Sequence, residues 1–276
     1  MPKITRRSAL KVLTAVAAGT VGGALVHGYA YERHALGLTR VDLTISGLPS
    51  AFDRLRVGFI TDLHHSAMVS FEEVHRAAAL VAAERPDLVI LGGDYVSYGD
   101  RRFAAPCAEA LGSLTAPLGV YAVLGNHDDD RVVPAALKAQ RIAVLRDEWT
   151  SISRQGESLA LAGVRFWTRS IAELASVLEG VRSPVLLAAH DPRRLQEAAA
   201  MDVGGVLAGH THGGQVVLPM IGALAARKFP IAAGRIARGA TEMFVSRGVG
   251  TVILPVRIHC PPEVAIVTLR TRGELG

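Results

Sequence analysis

The stretch Leu207–Pro219, LAGHTHGGQVVLP, sets two histidines, His210 and His212, on either side of one threonine, with glycines before and after them. It reads as the end of a buried strand entering a glycine-lined turn. In a continuing strand, residues two apart face the same side, so both imidazoles would converge on one object. A turn beginning at Gly209 would instead aim them at two neighbouring objects. A solvated polar turn explains the segment equally well when it is taken alone. What separates these alternatives is whether comparable strand ends elsewhere carry residues of the same chemical type.

They do, four more times. GFITDLHHS (Gly58–Ser66) ends in Asp62 and His64, and LVILGGDYVS (Leu88–Ser97) in Asp94. YAVLGNHDDD (Tyr121–Asp130) ends in Asn126, His127 and Asp128, and VLLAAHDP (Val185–Pro192) in His190. Amphipathic stretches lie between the runs: SFEEVHRAAALVAAERP (Ser70–Pro86), residues 105–114, VVPAALKAQR (Val132–Arg141), SIAELASVLEG (Ser170–Gly180, with Ser170 as cap) and PRRLQEAAA (Pro192–Ala200). RVDLTISGL (Arg40–Leu48) and SLALAGVRF (Ser158–Phe166) read as further strands, and the segment after Glu242 as strands and turns. Continuous apolar strands alternating with helices predict an α/β fold with a largely parallel sheet covered on both faces. In such sheets ligands bind beyond the C-terminal strand ends, so the five polar ends are expected to meet. Gly92, Gly93, Gly125 and Gly209 supply the backbone freedom to turn side chains back over the sheet edge.

Half of the 276 residues are hydrophobic, enough for a sizeable core, and the formal charge is +5. The excess is local. Lys3, Arg6, Arg7 and Lys11 precede residue 30 without a single acid, and the rest of the chain is near neutral. That balance argues against stable nucleic-acid binding. The basic patch TRRSALK followed by the uncharged VLTAVAAGTVGGALVHGYAY has the order of an export signal. Arg6 and Arg7 resemble a twin-arginine signal, although Ala9 departs from that pattern. The expectation is a signal or N-terminal membrane anchor over residues 1–30, with cleavage after Ala30 favoured over a permanent anchor. The protein is then expected to be exported to the periplasm or the outer face of the cytoplasmic membrane. Its expected partners are the twin-arginine machinery and, through residues 4–31, a membrane. Cys107 and Cys260 allow one disulfide in an oxidising envelope, but their pairing is not readable.

Two Asp, four His and one Asn, with no thiolate, suit Mn, Fe, Zn or Mg. They are too many donors for one ion and fit two ions sharing a carboxylate, which together activate a bridging hydroxide and clamp a phosphoryl group. His127 is then left over to protonate the departing oxygen.

The series DLH, GGD, GNHD, HDP and GHTHGGQ, in this order, resembles the calcineurin-like metallophosphoesterases. The ending VSRGVG…PVRIHCPPEVAIVTL is similar to an exported or membrane-attached bacterial branch of that family, and the resemblance spans residues 40–270. It implies two packed mixed β-sheets flanked by helices, and two divalent metal ions. Asp62, His64 and His212 would hold one ion, Asn126, His190 and His210 the other, and Asp94 would bridge them. His127, supported by Asp128, would contact the phosphate and act as the acid. Tyr95 and Tyr98 do not match the spacing of a ferric tyrosinate ligand. The activity implied is hydrolysis of phosphoesters, foremost phosphodiesters. The alternatives are cleavage of the pyrophosphate of UDP-2,3-diacylglucosamine, or a metal-binding scaffold without catalysis. Arg165, Arg169, Arg247 and Arg257 are candidates for binding a substrate anion. His65 reads equally well as a substrate neighbour or a solvent-facing residue, and His259 and Cys260 read foremost as turn structure before Pro261, with the pocket rim as the alternative. His34 and His75 read as surface residues.

Overall fold

The computed structural model describes residues 6–272. In chain order the elements are α1 (Arg6–Ala30), β1 (Gly37–Ile45), β2 (Arg56–Ile60), α2 (Phe71–Ala83), β3 (Leu88–Leu91), α3 (Ala104–Leu111) and β4 (Val120–Ala122). There follow α4 (Val132–Ala139), β5 (Ala143–Val144), β6 (Glu148–Arg154), β7 (Glu157–Val164), α5 (Ile171–Val177), β8 (Val185–Ala189) and α6 (Leu195–Ala200). The last part holds β9 (Gly205–Ala208), β10 (Val217–Leu218), β11 (Gly222–Ala223), β12 (Gly234–Arg238), β13 (Thr241–Val245) and β14 (Glu263–Thr271).

The strands form two six-stranded sheets, with orders β1-β14-β2-β3-β4-β5 and β12-β13-β9-β8-β7-β6, plus the small β10-β11 ribbon. Both large sheets are mixed. β14 runs antiparallel to β2 and parallel to β1, while β12/β13 and β6/β7 are antiparallel pairs in an otherwise parallel sheet. This is the pair of packed mixed sheets that the family resemblance implies, and it corrects the single parallel sheet expected from periodicity. The reason is physical: each sheet is buried on both faces, by helices outside and by the other sheet inside. Its strands therefore lose the polar alternation that distinguishes a sandwich from a doubly wound sheet.

The inner layer joins Val57, Phe59, Leu88, Ile90 and Val267 of the first sheet to Leu159, Leu161, Leu186, Leu207 and Phe244 of the second. Phe59 and Phe244 meet edge to face across it, ring centroids 6.4 Å apart. The outer face of the first sheet packs under α2, α3 and α4, and that of the second under α5 and α6. Helix starts follow local chemistry. Ser70 and Glu73 form a capping box at α2, and Ser170 and Glu173 another at α5, as the Ser170 cap anticipated. Strand β6 was not anticipated; its EWTSISR sequence carries mainly polar and half-buried residues at the sheet edge.

Register places the site. Ile60 pairs with Leu91, and Leu91 with Ala122, so β2, β3 and β4 end level with one another. In the second sheet Ala188 pairs with Leu207, which brings the ends of β8 and β9 together.

Helix α1 exposes Leu10, Val16, Val21, Leu25 and Val26. No helix among the described residues is long and apolar enough to cross a membrane. Residues 1–5 of the expected signal, Lys3 among them, lie outside the described residues. The end of α1 rests on the two-sheet body. A Cβ on Gly28 would sit 2.5 Å from the Arg257 carbonyl oxygen, and the Glu32 carboxylate accepts the Cys260 amide at 2.6 Å. The two cysteines do not pair; both are free and buried.

Candidate metal centre

Three of the five anticipated strand ends turn sharply on leaving their sheets. Asp62, His64, Asp94, His210 and His212 all have positive φ, between 49° and 71°. Left-handed backbone at a non-glycine residue costs of order 1 kcal/mol or more and persists where the surroundings dictate it. Five such residues, at strand ends from both sheets, are a concentration of strain. Two glycines make the close approach feasible. A Cβ on Gly125 would lie 2.0 Å from Asp94 Oδ1, and one on Gly209 would lie 2.2 Å from Asp62 Oδ2.

These turns gather the side chains into two groups, Asp62–His64–His212 and Asp94–His190–His210, each with ligand atoms within 4.8 Å of one another. Asp94 links them: its Oδ2 lies 3.4 Å from His64 Nε2 and 3.1 Å from His190 Nε2. The two histidines of the GHTH segment thus go to different groups, the outcome expected if the turn begins at Gly209.

Neighbouring groups fix the orientation of these side chains. His190 Nδ1 sits 2.8 Å from the Gly92 carbonyl oxygen, which only a ring N–H can satisfy, so Nε2 faces the site. Asp62 accepts the His210 amide on both oxygens and the Thr61 hydroxyl on Oδ2. Asp94 Oδ1 accepts the His127 amide.

The donor set fits cations. Asn126 Oδ1 and His190 Nε2 are buried without a hydrogen-bond partner. A buried acceptor left unpaired costs about 1–3 kcal/mol, which a bound cation would remove. Without a cation the electrostatics are divided. Burial opposes charge on His190, yet Asp94 and Asp62 outweigh it and push the ring up to about 10. Burial, with His190⁺ beside it, drives His210 down to about 3, and burial next to His64 drives His212 well below the usual range. A divalent ion in each group would supply the positive charge that the carboxylates need and leave every imidazole neutral.

Asp128 has a different job from the one expected. Its carboxylate accepts the amides of Asp94, Tyr95 and Gly125, each at 2.8 Å, and so ties the β3 and β4 turns together. Among the described residues it makes no hydrogen bond to the His127 ring. That ring is held through Nδ1, which accepts the Tyr98 amide at 2.9 Å. Burial raises the Asp128 carboxyl to about 7, with the Asp94 charge adding to the effect.

The arginines also separate. Arg257 is fully buried, and its two terminal nitrogens donate to the carbonyls of Arg247, Gly248, Gly250 and Cys260. It clamps the loop behind His212 and is not available to a substrate. Arg247 pairs with Glu263 at 2.5 Å. Arg165 pairs with Asp147, and Arg169 stacks over Phe166 and Trp167. His65 is buried with Nδ1 2.8 Å from the Val69 carbonyl oxygen, and His34 pairs with Glu73 at 2.7 Å; neither reaches the centre. Cys260 Sγ lies 3.3 Å from the His212 carbonyl oxygen, behind the centre rather than at its rim. Tyr95 is buried, with its hydroxyl donating to backbone carbonyls, so it is no ligand. Tyr98 was read only as a ligand that did not fit; its amide contact to His127 had no signal in the sequence.

Two cavities flank the centre. One, of about 360 Å³, is polar and lined by Asn126, His127, Asp130, Arg165 and Trp167. The other, of about 410 Å³, opens against His210 and His212.

Comparison with known proteins agrees with this geometry. Residues 55–214 match the calcineurin-like phosphoesterase family. The chain is 27% identical to the metallophosphoesterase YkuE of Bacillus subtilis, over 98% of this chain and 99% of that one. It is 29% identical to the phosphodiesterase YaeI of Escherichia coli, over 78% of this chain and 82% of that one. Among solved structures, TT1561 of Thermus thermophilus shares the fold, with a TM-score of 0.51 at 12% identity, over 70% of this chain and 89% of that one. The family match, which covers the strand ends from Asp62 to His212, and the two ligand groups lead to one conclusion: this chain belongs to the calcineurin-like phosphoesterase family and is a hydrolase acting on phosphoester bonds.

Proposed function

We propose that the protein is a dimetal-dependent phosphodiesterase. The observation that carries this reading is the pair of ligand groups joined by Asp94, with His127 beside them and cavities lined by His127 and by His210 and His212. Asp62, His64 and His212 would hold one cation, Asn126, His190 and His210 the other, and Asp94 both. When bound, the two cations activate the attacking water and neutralise charge on the phosphoryl group.

The chain's own residues do the rest. Because His127 Nδ1 accepts the Tyr98 amide, the neutral ring carries its proton at Nε2. From there it donates to the oxygen that leaves phosphorus, so the ring acts as a fixed hydrogen-bond donor at the departing group. Asp128 acts one step back, holding the backbone of Asp94 and Gly125 so that the bridging carboxylate and the Asn126 turn keep their spacing. The phosphodiesterase name of the Escherichia coli relative supports a diester over a monoester. The twin-arginine-like start of the chain supports action outside the cytoplasmic membrane, which disfavours a cytoplasmic lipid nucleotide as substrate. The full set of ligand residues argues against a scaffold that has lost catalysis.

The test is hydrolysis of bis(p-nitrophenyl) phosphate and p-nitrophenyl phosphate by metal-stripped protein, with Mn, Zn, Fe(II) or Mg restored. Turnover that returns with metal, favours the diester and is lost in Asp94→Asn is the expected result. Equal turnover by the metal-free protein would overturn the reading.

A further inference from the structure

The two cavities beside the metal centre differ in chemistry, and the difference sorts the two substituents of a diester. The cavity at His127 is polar. The cavity at His210 and His212 has walls formed by Val216, Leu218, Leu224, Phe229, Val252 and Leu254. The rings of His127 and His212 each lie against that of His64, at centroid spacings of 4.9 and 4.8 Å, so the polar cavity at His127 and the apolar one at His210 and His212 both adjoin the same centre. We propose that the physiological substrate is an amphiphilic phosphodiester whose alkyl or acyl substituent occupies the His210/His212 cavity while its polar alcohol faces His127.

Three observations favour an alkyl occupant. The cavity, about 410 Å³, is in the size range of small-molecule sites, and its walls offer few polar partners. Its lining includes apolar side chains left in solvent: Ile253 is 82% exposed, Leu254 60% and Leu224 47%. Exposed apolar residues grouped at a cavity mouth mark a binding surface, whereas scattered ones do not. Finally, the wall Val252–Leu254 leads into Val256–Ile258, on which the end of the apolar helix α1 rests. In the chain that keeps residues 1–30, this puts an apolar, solvent-facing helix beside the cavity, as suits a substrate met at a lipid surface; the cavity walls themselves do not depend on it. Lys228, lining the same cavity, offers a cation to an anionic group near the mouth.

The reaction balances as a simple hydrolysis. One water adds to phosphorus, the P–O bond to the polar alcohol breaks, and that oxygen leaves as the free alcohol with a proton derived from water. The apolar substituent remains on the phosphomonoester. The regiochemistry follows from the position of His127, whose Nε2–H serves the polar side.

The inference rests on the phosphodiesterase reading, and the experiment separates the two. The metal-loaded full chain is assayed on p-nitrophenyl ethyl, butyl and octyl phosphates below their micelle concentrations. Each buried methylene is expected to raise kcat/KM about threefold to fourfold until the cavity is full. In Leu224→Glu the octyl-to-ethyl ratio should collapse towards one. Binding of octyl against ethyl phosphate to the metal-free protein, read by calorimetry, should show the same preference and the same collapse. Turnover of the ethyl diester with no gain along the series overturns the amphiphile and leaves the phosphodiesterase standing. No turnover of any diester overturns both.

Discussion

Nε2 of His64 and Nε2 of His212 lie 3.1 Å apart in the buried centre, one strand end from each sheet. Asp62 Oδ1 stands 3.3 Å from the same His212 nitrogen. Two ring nitrogens at that distance, beside a carboxylate, form a site whose lone pairs point at one place. The two sheets are therefore coupled through whatever occupies it. Metal binding should act as a staple between the halves of the sandwich, because ligands preformed only in the folded state add their binding free energy to folding. Removing metal with a chelator is expected to lower Tm, and an ion at 100 times its Kd contributes about 2.7 kcal/mol. A melting curve unchanged by chelation would contradict the staple.

Asp128 gives a second prediction. Since its carboxylate holds three backbone amides and not the His127 ring, Asp128→Ala should act mainly through metal binding. Groups that orient ligands typically cost 10–100-fold in metal affinity when removed. The affinity loss should be larger than in His127→Ala, which should lower kcat while leaving metal affinity intact. Metal titrations of both variants test the split, and equal affinity losses would contradict it.

Gly209 permits the approach of β9 to Asp62. With a Cβ placed 2.2 Å from Asp62 Oδ2, Gly209→Ala must displace either the carboxylate or the His210 turn. Loss of at least one metal equivalent is expected, measured by elemental analysis of the purified variant. Two equivalents at wild-type affinity would contradict the packing account.

Arg257→Met should be costly although the residue never meets substrate. Removing a buried guanidinium that satisfies several carbonyls leaves those acceptors unpaired, a loss of about 3 kcal/mol or more. A lowered denaturation midpoint is the expected reading, and a neutral result would show that water replaces the clamp.

Asp129 gives a pH prediction. The amides of Val132 and Arg131, at the start of α4, hold its carboxyl down to about 2, with Arg101 adding to the effect. A carboxyl depressed in the folded state stabilises fully above its unfolded value of 3.8 and loses that contribution as pH falls through about 2. The Tm gap between wild type and Asp129→Asn should therefore be open at pH 6 and close towards pH 2. A gap independent of pH would contradict the cap.

Most of the centre was legible from strand ends because its ligands are the residues that close apolar runs: His190 follows one directly, and Asp62, Asp94, Asn126 and His210 follow one after a single threonine or one or two glycines. The order of the sheets was not legible from periodicity. Leu161 and Leu207 look like strands of a parallel α/β sheet because they are covered on both faces, and burial by a second sheet reads the same as burial by helices. The supporting bonds were also hidden. Asp128 sits beside His127 in sequence, which suggests a pair, yet the turn directs the carboxylate back to the amides of Asp94 and Tyr95. Arg257 could not be told from Arg165, Arg169 and Arg247 as an anion binder because sequence shows charge and not depth. The cavity beside His212 arises from residues far apart in the chain, Val216–Phe229 and Val252–Leu254, and no local pattern announces it.

The measurement that tests the central claim most directly is a metal titration of the stripped protein with turnover of bis(p-nitrophenyl) phosphate read at each step. The account predicts that hydrolysis stays near background through the first equivalent and rises with the second, and that Asp94→Asn never shows the second rise. Full turnover at one equivalent, or turnover unaffected by Asp94→Asn, would contradict a centre built from two groups joined by Asp94.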